Sequence, residues 1–406
     1  LKVKKKPALD FKSPLFAIFL IVMVDVLGFT IILPLLPFYA QKYGASPFVV
    51  GVLAATFAVC QLVSGPFLGR ISDRYGRRKI LMLSQSGTFV GFVLLGLANS
   101  LPLIFLSRVI DGVTAGNLTI AQAAIADVTP PENRAKAFGI IGIAFGLGFI
   151  VGPAISAALS PLNVHYPAYV AAALSALSIF ATWRLLPEPK QRVASSENAK
   201  SASKLLEFLK RGNIRWLMVE FLIFGFIFAA FTSGFAMFVE RRFTYEGRPF
   251  GATEVSLLFT YSGFVGLILQ GFMLGPLVKR FGEARLVAAG FTSMIVSYAI
   301  LGWASSIAML IVASTIGSFG NGVIRPALTA LVSQIARADE QGGALGATQS
   351  LVSIGQVFAP LISGIIIDAS VSHPAALTVW AGWLGLMGAC GLAVRLALAN
   401  PSAQKY

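Results

Sequence analysis

Gly69-Arg70-Ile71-Ser72-Asp73-Arg74-Tyr75-Gly76-Arg77-Arg78-Lys79 places five basic residues and two glycines in eleven positions. On both sides the chain is apolar for about 20 residues, the length a helix needs to cross the hydrocarbon core of a bilayer. The stretch therefore reads as a short charged turn between two membrane crossings, and the rest of the sequence repeats that alternation. Apolar segments fall near 15–39, 47–69, 79–98, 101–126, 136–159 and 167–186, then near 214–238, 253–275, 286–304, 307–335, 341–367 and 375–398. Composition agrees: 56% of the 406 residues are hydrophobic and only 12% are charged, against about 25% charged in an ordinary soluble domain. A soluble fold would leave much of that apolar surface in water, so lipid is the expected solvent.

A formal charge of +15 raises the question of nucleic acid. The placement of the charge answers it, because the basic residues alternate with apolar segments and form no single patch. The even-numbered loops and both tails carry 26 of the 32 basic residues; the other loops hold only Lys42, Arg241, Arg242 and Arg248, and Arg108 and Arg325 fall within spans. Under the positive-inside rule this asymmetry predicts an even number of crossings with both termini in the cytoplasm. It also predicts contact with anionic lipid, and it gives no reason to expect a nucleic-acid partner. Lys4, Lys5 and Lys6 precede an apolar segment with no small-residue cleavage site, which reads as a first crossing and not as a cleaved leader. Cys60 and Cys390 both lie in apolar runs and predict no disulfide framework. The polar stretch 187–213 reads as a cytoplasmic linker between 1–186 and 214–406, its end (Lys204 to Lys210) as a short amphipathic surface helix.

The chain also resembles itself. A shift of 206 residues lays Gly65 on Gly271, Gly69 on Gly275, Arg74 on Arg280, Gly76 on Gly282 and Gly116 on Gly322; a shift of 207 lays Gly148 on Gly355 and Pro153 on Pro360. Glycine, proline and arginine at a nearly constant offset imply a duplicated unit. The expected fold is all-α and membrane-embedded, twelve transmembrane helices arranged as two pseudosymmetric six-helix bundles. Carriers of that kind bind their substrate between the halves near the midplane.

The turn at Gly69–Lys79 resembles the G-xxx-D-R-x-G-R-R motif of the major facilitator superfamily. It recurs in weakened form at Gly275–Gly282, where Lys279 replaces the aspartate. The resemblance implies a cytoplasmic latch made by Gly69, Asp73, Arg74, Gly76 and Arg77, with Asp127, at the end of span four, as partner for Arg74 or Arg77. Leu106-Ser107-Arg108-Val109-Ile110-Asp111-Gly112 is similar to the family's intramembrane arginine motif. Gly148-xxx-Gly152-Pro153 resembles the motif of its drug/proton antiporters, although Ser156-Ala157 stand where two further glycines are usual. Together with Asp127-Val128-Thr129-Pro130-Pro131-Glu132-Asn133-Arg134, these motifs look most like the tetracycline-efflux branch. Exporters of that branch also carry acidic residues in spans three and nine, which are missing here. Small residues in span five should make a smooth face against the other half, and Pro153 should permit a bend.

A guanidinium within a span is costly unless paired or hydrated, so Arg108 marks a polar path. Asp111, three residues on, shares its helix face and can neutralise it. Asp25 lies roughly 15 Å along span one and Arg108 roughly 10–12 Å in from the opposite side, so their depths match. One arginine between two aspartates leaves a surplus carboxylate, which is what a proton carrier needs. Asp25, Asp111 and Arg108 are therefore the candidate proton-coupling residues, expected to share a dry midplane cavity between the halves. Ser314 and Gly317 occupy the equivalent positions of the second half, so the first half alone holds this chemistry.

Span seven is rich in phenylalanine, and Phe231 and Phe235 are candidates to line a cavity for an aromatic or amphipathic molecule. Gln61, Asn117, Tyr261, Gln270, Asn321, Gln349 and Gln356 are candidate polar contacts. Glu220 reads equally as a snorkelling carboxylate or a functional one. Arg325 reads as a gate or headgroup contact, and His165 and His373 suggest no metal site. No phosphate-cradling Gly-Lys-Ser/Thr loop is present, and nothing suggests an enzyme or a cofactor. The expected function is proton-coupled efflux of a lipophilic small molecule by a monomer, in a bacterial inner membrane on the resemblance. The alternative is a facilitator or importer of an organic anion that Arg108 binds.

Overall fold

The computed structural model describes residues 14–129, 134–186, 207–336 and 341–399. Among them twelve helices are long and apolar enough to cross a bilayer. Crossings 1 to 6 are Leu15–Ile32, Pro47–Tyr75, Arg77–Leu97, Leu101–Ile125, Gly142–Leu159 and Tyr166–Leu185. Crossings 7 to 12 are Ile214–Arg242, Ala252–Phe281, Glu283–Trp303, Ile307–Ile335, Gly346–Val371 and Ala376–Leu398. Large apolar side chains such as Val63, Phe67, Phe272 and Trp303 point outward and are mostly exposed, as a lipid-facing surface requires. The expected linker at 187–206, the loop 130–133 and the N-terminal lysines lie outside the described residues. Residues 207–210 are helical, with Phe208 buried.

The two halves repeat one packing scheme. Crossing 1 packs on 5 and 6, and crossing 7 on 11 and 12; crossing 3 packs on 4 and 6, and crossing 9 on 10 and 12. The halves meet along two lines, 2 against 11 and 5 against 8, which the same pseudosymmetry interchanges. The turns that begin crossings 3 and 9 are also equivalent. Gly76 and Gly282 sit at φ 102° and 77°, a region that costs any residue with a Cβ about 1–2 kcal/mol.

Three interruptions depart from a plain set of rods. The first crossing stops at Ile32, short of the expected 39, because Pro34 cannot donate to the ladder; a separate short helix, Leu36–Lys42, follows. Crossing 4 is two helices, Leu101–Val113 and Asn117–Val128. The backbone groups freed at that break are taken up by neighbours: Ser64 donates to Gly112 O at 2.9 Å, Ser84 donates to Thr114 O, and Gly116 N donates to Ser84 Oγ at 3.0 Å. Crossing 8 contains a π-turn at Leu269–Met273.

The end of the molecule away from both termini, here the distal end, is where the halves close. Gln41 Nε2 donates to Glu240 Oε2 at 3.1 Å, Arg241 Nη2 to Gln41 Oε1 at 3.4 Å, and Ser160 and Thr253 hydroxyls meet at 3.3 Å. Helix backbones touch there too. A Cβ on Gly364 would lie 2.7 Å from Pro47 O, and a Cβ on Gly51 would collide with Pro360 O. One hydrophobic core runs from Ile31, Tyr39, Val50 and Leu53 of the first half through into the second. Toward the proximal end the first half has a core of its own, built on Ile18, Ile21, Ile80, Leu81, Ile120 and Ile125. The halves are thus joined distally and splay apart proximally.

Candidate functional site

Two polar clusters are built inside the first half. Asp111 pairs with Arg108 at 3.2 Å and stands beside Thr88 of crossing 3. Gly91 makes room for it, since a Cβ there would lie 2.9 Å from Asp111 Cβ. Arg108 Cζ sits 5.8 Å from the Phe92 ring centroid, and its Nη2 has no partner. Asp25 stands apart from this pair. It accepts from Ser178 Oγ of crossing 6 at 2.9 Å, with Gln85 of crossing 3 beside it. Gln85 in turn donates to Ser178 at 2.6 Å and accepts from Thr182 at 2.8 Å. Among the described residues Asp25 has no cation within ion-pair reach, and it keeps partial exposure.

The sequence places Asp25, Asp111 and Arg108 at one depth in a cavity between the halves. The structure instead turns all three toward crossings 3 and 6, into the interior of the first half. Crossings 3 and 6 supply their partners because those helices close the bundle behind 1 and 4. Gln85, Ser178 and Thr182, which complete the Asp25 cluster, were not singled out from sequence. Hydroxyls and amides in apolar helices are common, and only the fold brings these three together.

The proximal turn forms a compact charge cluster. Arg77, mostly buried, pairs across the Gly76 turn with Asp73 at the end of crossing 2 and with Asp127 of crossing 4, Nε to Oδ2 at 3.0 Å. It also donates to Ser72 Oγ at 2.6 Å and to Gly69 O at 3.4 Å. Of the two expected partners of Asp127, Arg77 is the one that reaches it; Arg74 is exposed and lies over Tyr75. A Cβ on Gly69 would meet Thr119 at 3.5 Å, an ordinary contact. In the second half Glu283 occupies the place of Arg77 and accepts from Gln334 at 3.0 Å.

Span five corrects an expectation. Gly148 and Gly152 do not face the other half. They pack on Val26 and Thr30 of crossing 1, and Thr30 donates to Gly148 O at 2.8 Å. At about 100° per residue, Phe149 turns away from Gly148, and it is Phe149 that meets the other half. A Cβ on Gly263 of crossing 8 would lie 2.5 Å from Phe149 O, and the Phe149 ring stands edge-on to Phe228. Gly142 and Gly146 share that face with Phe149 and Pro153, and nothing approaches either glycine within 4 Å.

The candidate substrate contacts divide. Phe231, Phe235 and Asn321 do come together, around a cavity in the second half that Ser262, Ser297, Tyr298, Ser314 and Ser318 also line. Its water-accessible space is about 40 Å³, room for a few waters and far below the roughly 300 Å³ a drug-sized ligand needs. Gln349 and Gln356 share a face of crossing 11 with Pro360 and Gly364, which touch crossing 2, so both look onto the space between the halves. Gln61 lies on nearly the same face of crossing 2 as Pro47. Tyr261 is held by Thr315 at 2.7 Å, inside the second half. Gln270 is exposed in the π-turn, and Asn117 begins the second piece of crossing 4 with its Oδ1 buried and unpartnered.

Glu220 and His165 are both tied to polar partners. Glu220 is fully buried and paired with Arg395, itself buried in crossing 12 and not in the C-terminal flank. His165 accepts or donates at Tyr39 OH, 2.7 Å away, and lies 2.8 Å from Gly96 O. Among the described residues no group of three His, Cys, Asp or Glu side chains is placed to hold a metal.

Comparison with known proteins agrees with this architecture. The family model of the Major Facilitator Superfamily matches residues 18–252 and 245–405. The chain is 28% identical over 382 residues to the class H tetracycline resistance protein of Pasteurella multocida, covering 92% of each chain. It is 31% identical over 357 residues to multidrug resistance protein 1 of Bacillus subtilis (strain 168), covering 86% of this chain and 89% of that one. Among solved structures, the human organic anion transporter MFSD10 superposes with a TM-score of 0.70 at 22% identity, over 95% of this chain and all of that one. The nucleoside transporter NupG does so at 0.77 and 13%, over 96% of this chain.

Proposed function

The chain belongs to the Major Facilitator Superfamily and is a multi-pass membrane transporter, and from that premise we propose that it exports lipophilic or amphipathic small molecules in exchange for protons, by alternating access. The observation that carries the reading is Asp25: a carboxyl group deep in the first half, held by the Ser178 hydroxyl, with no cation within ion-pair reach among the described residues and Arg108 already committed to Asp111. A carboxyl group so placed can take up and release a proton without breaking an ion pair. The names of the relatives at 28% and 31% identity, which concern resistance to tetracycline and to multiple drugs, support export.

The proton site and the cargo cleft are separate in this reading. Crossing 1 links them, since Asp25 lies on one of its faces and Thr30, bound to Gly148 of crossing 5, on another. Crossing 5 then meets crossing 8 across the cleft through Phe149 and Gly263. With both termini in the cytoplasm of a bacterial inner membrane, the proximal opening faces inward, where an exporter collects its cargo.

The test is flux from vesicles holding the purified protein and a lipophilic dye. An imposed proton gradient should accelerate dye movement, and Asp25→Asn should remove the gradient-driven component while leaving the fold intact. Flux that ignores the gradient in the parent protein would sink the coupling and leave a facilitator.

A further inference from the structure

Resting on that transport reading, we infer that Arg325 is the cargo-recognising cation of the cleft and that the cargo is an amphipathic organic anion. Arg325 lies ten residues, roughly 15 Å, from the proximal end of crossing 10 at Ile335, hence within the hydrocarbon depth of the bilayer. Its side chain is exposed, and its Cζ lies 5.7 Å from the ring centroid of Phe145 in crossing 5, on the opposite wall of the cleft. Among the described residues no carboxylate lies within 4.0 Å of it.

The guanidiniums that lie buried among the described residues are handled differently. Arg108 has Asp111, Arg395 has Glu220, and Arg77 has Asp73 and Asp127. A lone guanidinium at this depth is costly, and a single ring face offsets only part of that cost. An anion entering the cleft would supply what the protein withholds.

The surroundings of Arg325 describe the rest of the cargo. Ser314, Ser318, Asn321 and Arg325 fall at i, i+4, i+7 and i+11, so they form one stripe along crossing 10. The stripe leads from the guanidinium to the small cavity walled by Phe231, Phe235 and Tyr298. Asn321 Oδ1 is buried there without a donor. A molecule with its anionic head on Arg325 and an aromatic or apolar body against Phe145 would satisfy the guanidinium, while the 40 Å³ cavity beyond has room only for a small hydrogen-bond donor to Asn321. Arg325 is bidentate by geometry, which suits a carboxylate, sulfonate or phosphate head.

The shared chemistry of an anionic cargo and a lipid phosphate requires an experiment that separates them. Pyrenesulfonate and the matched pyrenylmethyl-trimethylammonium cation are titrated against the full chain in phosphatidylcholine nanodiscs, with thermal stabilisation as the readout. We expect the sulfonate to bind at least tenfold tighter than the cation. Arg325→Gln should erase that preference, and Arg325→Lys should keep part of it. Equal affinity for the two probes, or a preference that survives Arg325→Gln, overturns the inference. So does stabilisation by phosphatidylglycerol alone, lost in Arg325→Gln, with no response to the sulfonate; that result assigns Arg325 to lipid. Proton-driven flux is scored separately. If a cationic dye is pumped while the sulfonate preference is absent, the transport reading stands and this inference falls; if sulfonate is selected but nothing is pumped, the reverse holds.

Discussion

The distal closure rests on glycines pressed against backbone, and Gly364 allows the consequence to be sized. A Cβ at that position would lie 2.7 Å from Pro47 O and 3.1 Å from Phe48 Cα. Both neighbours are main chain in crossing 2, so neither can rotate aside, and Gly364→Val must push crossings 2 and 11 apart by several tenths of an ångström. Overpacking of this kind costs about 1–3 kcal/mol. The cost falls only on the state in which these helices touch, so the balance should move toward distal opening by roughly 5–150-fold. Spin labels at Leu162 and Val371, exposed distal positions in the two halves, report the change once Cys60 and Cys390 are replaced by serine. The distance distribution should gain a longer population in Gly364→Val. Gly142→Val is the control, because it adds the same β-branched side chain to a crossing helix where nothing lies within 4 Å. Identical distributions in the parent and Gly364→Val, with both folded, would refute the reasoning; so would an equal shift in the control.

Other expectations follow from the charge clusters and turns. Gly76→Ala should lower stability by about 1–2 kcal/mol, the cost of a Cβ at φ 102°; a thermal midpoint equal to the parent's would contradict the turn geometry. Arg77→Gln should cost about 2–3 kcal/mol through lost charged hydrogen bonds to Asp73, Asp127 and Ser72, and Asp127→Asn, which removes one of those partners, should cost less. Glu220→Gln alone should destabilise the second half by about 3–5 kcal/mol because it strands Arg395, whereas Glu220→Leu with Arg395→Met should recover most of that loss. Equal damage from the single and double changes, measured by thermal unfolding in detergent, would argue against a buried pair.

The crossings were legible because each is a long apolar run punctuated by charge, and lipid imposes that pattern without help from tertiary structure. The duplication was legible for a similar reason: Gly76 and Gly282 serve one backbone turn twice. What sequence could not give was the direction in which side chains point. Gly148 and Gly152 form a small-residue face whose partner is undefined until crossing 1 is seen beside it. Asp25 and Arg108 match in depth, but depth does not fix azimuth, and both turn inward. Glu220 and Arg395 are 175 positions apart, and no local spacing joins them. The interruption at Thr114–Gly116 carries no proline, and it holds only because Ser64 and Ser84 receive the loosened backbone.

That interruption makes the fourth crossing two levers on a short joint. The distal lever bears Arg108 and Asp111; the proximal one bears Asp127, which clasps Arg77. An unbroken rod would oblige the two stations to tilt together, so that any strain at one would wrench the other. With a joint between them each can reorient on its own, and the serines that cradle the joint decide how freely it swings.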